Sequence, residues 1–263
     1  MTETKSFFTD GGAYERLMGR FTRAAGEIFL DWLALPKGLS WIDVGCGTGA
    51  FTQVLSNRCA PSRVEAVDPA EAQIAYARTT PAAKGVNFRI GDAQSLPFGN
   101  AEFDAAVMAL VITFVPDPAK AVAELKRVTK PGGTIGAYMW DFFNNGSPRQ
   151  RLSDAVERIG FQVHHPAGYA YSHIDAMEGF FRSAGLADIE SRVIEVDVTY
   201  ADFNTYWIAQ TELVNDVVQK IREMSAAEVE RLKADLRATL PKDKNGRIAY
   251  KASANAVKGR VPE

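Results

Sequence analysis

The chain is poor in residues that bind metal ions, and it carries little net charge. Its 263 residues include two cysteines and three histidines, and Cys46 and Cys59 have no second pair at zinc-site spacing. We therefore predict no metal site. Lysine and arginine total 30 against 32 aspartate and glutamate residues, which leaves a net charge of −2 without a long basic run. This balance argues against nucleic acid and anionic membranes as partners.

Long apolar runs are lacking as well. No stretch reaches the roughly 20 apolar residues that a transmembrane helix needs. Residues 1–6 are polar and lack the apolar core of a signal peptide. We expect a cytoplasmic protein without a membrane partner. The length of 263 residues suffices for one large α/β domain with an insertion.

The strongest functional signal is a glycine loop between a strand and a helix. A short apolar strand at 41–44 runs into Gly45-x-Gly47-x-Gly49, and a helical pattern follows at once. Glycine lets the backbone turn sharply and lets a ligand approach the main chain closely. The N–H groups at the start of the next helix favour an anion. The pattern predicts a nucleotide-type site at the first strand–helix turn of an α/β domain.

The loop by itself leaves the cofactor open. With Ala50 it satisfies the form G-x-G-x-x-G/A, which is typical of nicotinamide and flavin enzymes. The second predicted strand, 64–68, ends in Asp68, 25 positions after Asp43. A carboxylate there suits a ribose diol because it can accept from both hydroxyls. That property fits either kind of cofactor.

An ordered series of motifs surrounds and follows the loop. They are Asp43–Gly49, Val67–Asp68, Gly91–Ala93, Leu96–Phe98, Phe103–Asp104 and Lys130–Gly133. Each is common alone, but the ordered set over 38–140 resembles the class I S-adenosylmethionine (SAM)-dependent methyltransferases. It is most similar to their small-molecule, ubiquinone/menaquinone-biosynthesis-like branch, methyltransferase type 11. The segment Tyr14–Arg20 also resembles the N-terminal helix that covers SAM in one subgroup.

The resemblance implies an α/β fold, a Rossmann-like doubly wound sheet of seven strands. The sheet would be mostly parallel, with an antiparallel hairpin at the C-terminal edge and a helical insertion. We predict a single domain over 1–263. Its parts would be N-terminal helices over the cofactor at 1–37, a SAM-binding core at 38–140, the C-terminal half of the sheet at 141–200 and 241–263, and a helical insertion or lid at 201–240.

The pattern outside the core predicts further elements. Within 201–240 we predict one amphipathic helix over 203–221 and a second that begins at the capping box 225–228. A final strand is predicted over 246–257. Ser172–Asp175 reads as a capping pair that opens another helix.

The resemblance further implies SAM as cofactor, with S-adenosylhomocysteine as product. Asp68 would accept from the ribose hydroxyls, and Asp92 from the adenine amino group. Amides of the glycine loop would approach the methionine carboxylate, and Asp43 would orient that loop. The implied cofactor-binding residues are Tyr14, Arg20, Asp43, Gly45, Cys46, Gly47, Asp68, Pro69, Asp92, Ala93, Gln94, Ala109 and Leu110.

Methyl transfer from SAM needs no catalytic triad, because the sulfonium already activates the methyl group. The enzyme has to align the acceptor and exclude water. His164 and His165 are candidates for a general base, should the acceptor need one. We expect a monomeric or homodimeric methyltransferase that acts on a small organic acceptor. Two alternatives stay open: a NAD- or flavin-dependent oxidoreductase using the same glycine loop, and a non-catalytic SAM- or metabolite-binding module.

Overall fold

A seven-stranded sheet forms the centre of the computed structural model, which describes residues 18–81, 84–163, 168–212 and 215–263. Its strands are β1 Ser40–Val44, β2 Arg63–Asp68, β3 Val86–Ile90, β4 Phe103–Ala109, β5 Thr129–Trp140, β6 Ala187–Tyr200 and β7 Ile248–Arg260. They are arranged in the order β3-β2-β1-β4-β5-β7-β6. Strands β1 to β5 pair in parallel, whereas β7 lies antiparallel between β5 and β6. The predicted sheet, with its antiparallel hairpin at the C-terminal edge, is confirmed.

Helices connect the strands and cover the sheet. Within the described residues they are α1 Arg20–Leu33, α2 Ala50–Cys59, α3 Glu71–Ala77, α4 Pro118–Val128, α5 Gln150–Arg158, α6 Ile174–Ser183, α7 Phe203–Glu212, α8 Asp216–Glu223 and α9 Ala226–Thr239. Local chemistry sets several of their ends. For example, Asp117 accepts from the backbone N–H of Lys120, with Pro118 at the first helical position. None of the described helices has both the length and the apolarity that a bilayer crossing requires.

The start of α6 differs from the predicted capping pair. The N-cap is His173, whose Nδ1 accepts from the backbone N–H of Asp175 at 3.3 Å. The Ser172 hydroxyl instead donates to the carbonyl of Tyr169 at 2.8 Å and accepts from the N–H of Phe143. Tertiary contacts therefore engage the serine, and the next residue with an acceptor takes over the cap.

The insertion between β6 and β7 also differs in detail. The single helix predicted over 203–221 is in fact two, α7 and α8. Asn215 starts the second helix, because its Oδ1 accepts from the backbone N–H of Val218 at 3.0 Å. The capping box of Ser225 and Glu228 at the start of α9 is present. Strand β7 continues to Arg260, because its end pairs with Thr134 of β5.

Close packing brings α1 against the sheet. The rings of Phe29 and Tyr138 lie 4.9 Å apart, and both side chains are fully buried. A Cβ at Gly26 would lie 2.7 Å from Cδ2 of Phe51, and one at Gly136 would lie 2.8 Å from Cζ of Phe29. Only glycine allows these approaches. They place the first turn of α1 beside the carboxyl ends of the strands.

Candidate functional site

A cavity of about 550 Å³ opens where the parallel strands end. Parallel strands place their carboxyl ends at one edge of the sheet, which is where ligands bind in α/β folds. Ten of the thirteen predicted cofactor residues line this cavity: Asp43, Gly45, Cys46, Gly47, Asp68, Pro69, Asp92, Ala93, Ala109 and Leu110. The volume lies within the range of small-molecule sites, about 300–1,000 Å³.

The cavity has walls that the motifs did not indicate. Thr22 comes from the first turn of α1, and Gln73 comes from α3. The segment 111–116 after β4 adds Val111, Phe114, Val115 and Pro116. This segment follows directly after β4, a central parallel strand. Ligands bind beyond the carboxyl ends of such strands, so its position in the sequence could have identified it as part of the site.

The glycine loop is attached to β2 through its own amides. The N–H groups of Gly45 and Cys46 donate to the carbonyl of Val67 at 2.7 and 3.0 Å. The N–H of Gly47 donates to Oδ2 of Asp68 at 2.9 Å. The amides of Gly45 and Gly47 thus donate within the protein, and the approach of the amides around them to a ligand carboxylate stays a prediction. Their main contribution is to hold the loop open beside the cavity.

The first two glycines of the loop have different surroundings. At Gly45, with φ of +78°, a Cβ would lie 2.3 Å from Cγ2 of Val111, so the loop packs tightly there. At Gly47, with φ of +53°, no heavy atom of the described residues lies within 4 Å of such a Cβ. Gly47 therefore leaves free space along the cavity wall.

Asp68 accepts hydrogen bonds from the backbone and also lines the cavity. Its Oδ2 accepts from Gly47, and its Oδ1 accepts from the N–H of Ala70 at 2.8 Å. Burial raises the pKa of the Asp68 carboxyl, although the two amide hydrogen bonds oppose that shift. A carboxylate offers about four acceptor positions. About two of them remain for hydroxyl groups of a ligand.

Asp43 lines the cavity and has one carboxylate oxygen that is buried and unpaired among the described residues. The residue is fully buried, and its Oδ2 accepts from the Thr52 hydroxyl at 2.6 Å. Its Oδ1 has no hydrogen-bond partner among the described residues. Burial raises the pKa of Asp43 to about 7, against the lowering effect of Thr52. A buried carboxylate with a free oxygen favours a cationic donor such as an ammonium group.

The buried carboxyl of Asp43 makes stability depend on pH. The pKa is about 7 in the folded chain against an ordinary value of 3.8, so the folded chain keeps a proton that the unfolded chain has released. We expect the contribution of Asp43 to the free energy of unfolding to be favourable below pH 3.8 and to be lost as pH rises to about 7. The total loss is about 4 kcal/mol. Urea unfolding at pH 5 and pH 7.5 measures it: Asp43→Asn should reduce the difference between the two pH values, and an unchanged difference would contradict the assignment.

Asp92 and Gln94 form a local turn at the mouth of the cavity. Oδ1 of Asp92 accepts from the backbone N–H of Gln94 at 2.8 Å and from its Nε2 at 3.2 Å. Asp92 lines the cavity, whereas Gln94 does not. The side chain of Gln94 thus orients Asp92.

Arg20 lies outside the cavity wall, in contrast to the prediction. Its Nη1 donates to the carbonyl of Thr199 at 3.3 Å, and its Cζ lies 4.3 Å from the ring centre of Tyr200. Thr22, two residues later on α1, is the one that lines the cavity. Two helical positions differ by about 200° around the axis, so the two side chains leave the helix on different sides.

Four further predicted residues have other outcomes. Tyr14, His164 and His165 lie outside the described residues. Cys46 lines the cavity, and burial raises the pKa of its thiol, so it contributes packing and not a nucleophile. Among the described residues, no group of three or more histidine, cysteine, aspartate or glutamate side chains could hold a metal ion.

Comparison with known proteins identifies the type of domain. Residues 42–136 match a family model described as a methyltransferase domain. The malonyl-[acyl-carrier protein] O-methyltransferase of Serratia marcescens is 33% identical over 158 residues, which cover 58% of this chain and 59% of that protein. The chloroplastic 2-methyl-6-phytyl-1,4-hydroquinone methyltransferase 2 of Oryza sativa subsp. japonica is 40% identical over 97 residues, 37% of this chain and 28% of that protein. The chain thus spans less than two thirds of the length of either relative.

Solved structures agree on the fold. The YcgJ protein from Bacillus subtilis has a TM-score of 0.60 at 20% identity, covering 91% of this chain and 98% of that chain. Phosphoethanolamine N-methyltransferase 2 of Haemonchus contortus, solved with S-adenosyl-L-methionine, has a TM-score of 0.56 at 16% identity, covering 95% of this chain and 56% of that chain. Residues 42–136 therefore match a methyltransferase domain, and the chain shares the seven-stranded fold of these solved structures.

Proposed function

We propose that this protein is a SAM-dependent methyltransferase that transfers a methyl group to a small organic acceptor. The observation that carries the proposal is the pairing of a cavity at the strand ends with the unpartnered Oδ1 of buried Asp43. SAM bears an ammonium group that could donate to this oxygen, and ribose hydroxyls that suit Asp68. The residues present therefore fit the cofactor.

Different residues would bind different groups of the cofactor. Asp43 would accept from the ammonium group, and Asp68 from the ribose hydroxyls while it keeps the glycine loop in place. Asp92 would accept from the adenine amino group beside buried Ala93. When bound, SAM supplies a methyl group activated by the neighbouring sulfonium. The apolar side chains of Val111, Phe114, Val115 and Pro116 line part of the cavity and would exclude water there, which favours the transfer.

The acceptor is proposed at the level of its class. The two curated relatives are named for a malonyl group on a carrier protein and for a hydroquinone. Both names describe methylation of an organic group, which supports a small organic acceptor here. We assign 38–140 to cofactor binding, and the C-terminal segments 141–200 and 241–263 with the insertion 201–240 to the acceptor. A cytoplasmic location is proposed as well, because both cysteines are free thiols.

Calorimetric titration and turnover test the proposal together. The protein should bind SAM and S-adenosylhomocysteine, and it should not bind NAD or flavin. Transfer of labelled methyl from SAM to one or more compounds of a metabolite panel should follow. Binding of NAD in place of SAM would support the oxidoreductase alternative, and SAM binding without turnover on any acceptor would support a binding module.

A further inference from the structure

Arg149 is a buried cation that has no carboxylate partner among the described residues. It lies at the start of α5, and the residue is 8% exposed. Its Nη2 donates to the carbonyl of Gln210 at 2.8 Å and lies 3.5 Å from Oδ1 of Asn215. Its Nε and Nη1 are shielded from solvent and have no hydrogen-bond partner in the described part of the chain. An uncompensated buried charge is strongly unfavourable, so the arrangement calls for a reason.

Tyr200, Tyr206 and Tyr250 lie close enough to this guanidinium to interact with it electrostatically. Tyr206 is fully buried, and its hydroxyl has no hydrogen-bond partner among the described residues. Tyr200 accepts from Nε2 of Gln210 at 2.8 Å, and its ring meets that of Tyr206 edge-on at 5.2 Å. Burial raises the pKa of the Tyr206 phenol, which therefore stays protonated and able to donate. Burial likewise lowers the pKa of Arg149, to about 10, which leaves the guanidinium charged near neutral pH.

The cluster lies on the same sheet edge as the cofactor cavity. Strands β5 and β6 are both antiparallel to β7, so they run in the same direction and their carboxyl ends point to the same edge of the sheet. Trp140 at the end of β5 and Ile194 of β6 pair with the same residue, Ala254, so β6 continues for six residues beyond β5, to Tyr200. Arg20 covers the ring of Tyr200, while Thr22 on the same helix lines the cavity. Neither Arg149 nor Tyr206 lines the cavity. The cluster is therefore beside the methyl-transfer site and separate from it.

We propose that Arg149 and Tyr206 bind an anionic group of the acceptor, a carboxylate or a phosphate, away from its methyl-accepting atom. The inference rests on the proposed methyltransferase function. A carboxylate or phosphate supplies several acceptor oxygens, and the cluster supplies a positive charge with unpaired N–H and O–H donors. Tyr250 is not included among these donors, because its hydroxyl already donates to the carbonyl of Pro148 at 2.7 Å.

The insertion is part of this site. The same Nη2 of Arg149 contacts the last turn of α7 through Gln210 and the cap of α8 through Asn215. Since the unpaired atoms are shielded from solvent, entry of an anion requires the contacts of Arg149 with Gln210 of α7 and Asn215 at the start of α8 to open. Binding of the anion and the position of the insertion are thereby coupled. This gives the insertion a role in acceptor choice, and its described residues take no part in lining the cofactor cavity.

Titration with simple anions tests the site directly. Full-length protein with saturating S-adenosylhomocysteine is titrated calorimetrically with sodium malonate and with sodium phosphate at constant ionic strength. We expect saturable binding of at least one anion, and the two titrations distinguish carboxylate from phosphate. Tyr206→Phe should weaken that binding at least fivefold while leaving the fold intact, because the hydroxyl that it removes has no hydrogen-bond partner among the described residues. Arg149→Met should abolish it.

Arg158→Met is the matched control. Arg158 lies on the same helix, but it is paired with Asp235 at 2.6 Å, so its loss should leave anion binding unchanged. All variants should still bind S-adenosylhomocysteine. If the wild-type protein does not bind S-adenosylhomocysteine, that result contradicts the proposed function, whatever the outcome for the anion site. The anion site itself is refuted if the wild-type protein binds neither anion saturably. It is equally refuted if Tyr206→Phe and Arg149→Met both bind the anion as the wild-type protein does.

Discussion

Gly47→Val is expected to abolish SAM binding while the chain stays folded. A Cβ at Gly47 would meet no heavy atom of the described residues within 4 Å, and the residue lines the cavity. The valine methyl groups would therefore occupy space that the cofactor needs, without a clash that unfolds the protein. The positive φ of +53° adds about 1–2 kcal/mol of strain for a residue with a side chain. Calorimetry should show at least a hundredfold loss of affinity for S-adenosylhomocysteine.

Gly38→Val is the control that distinguishes the effect of backbone strain from the effect of a side chain that fills the cavity. Gly38 also has a positive φ, +82°, and free space around its Cβ direction, but it lies outside the cavity. This variant should lose some stability and keep its affinity for S-adenosylhomocysteine. If Gly47→Val binds the ligand as the wild-type protein does, the loop does not border the cofactor.

Asp68→Ala is expected to weaken SAM binding by about 1–3 kcal/mol, or about 5- to 150-fold. Two effects act together. The ligand loses a charged acceptor, and the loop loses the hydrogen bond from the N–H of Gly47 to Oδ2 of Asp68. The fold should persist, because the other bonds of the loop go to the carbonyl of Val67. Calorimetric titration with SAM measures the change.

Two further variants sharpen the test of Asp68. Asp68→Asn keeps one carbonyl oxygen as an acceptor, so it should lie between the alanine variant and the wild-type protein. Asp104→Ala removes a carboxylate on β4 that pairs with Lys130 at 2.6 Å and does not line the cofactor cavity. It should change stability and leave SAM affinity alone. Unchanged affinity in a folded Asp68→Ala protein would remove Asp68 from the site.

The parts of the site that follow local patterns were predictable. A strand, three glycines and a helix come in direct succession at 41–59, so the turn beside the cavity follows from neighbouring residues. Parallel strands bring their carboxyl ends together, and for that reason Asp43, Asp68 and Asp92 meet at one edge although they are far apart in the chain.

Other features depend on contacts that no local pattern encodes. The insertion was predicted as one long helix because its apolar spacing continues through 203–221, but an asparagine cap divides it. Arg20 was predicted at the cofactor, yet it contacts Thr199, 179 positions away in the chain. His173 replaced the predicted serine cap because Ser172 is engaged by a loop from β5.

The sequence by itself determined the seven-stranded α/β fold, the place of the cofactor cavity and the type of domain. These depend on the order of strands and on glycine positions, which leave a readable pattern. Only the tertiary structure decided that Asp68 holds the Gly47 amide. It also decided that, among the described residues, Asp43 keeps an unpaired oxygen and Arg149 is buried near tyrosines without a carboxylate partner. The physical reason is that hydrogen-bond pairing and desolvation depend on which distant segments pack together.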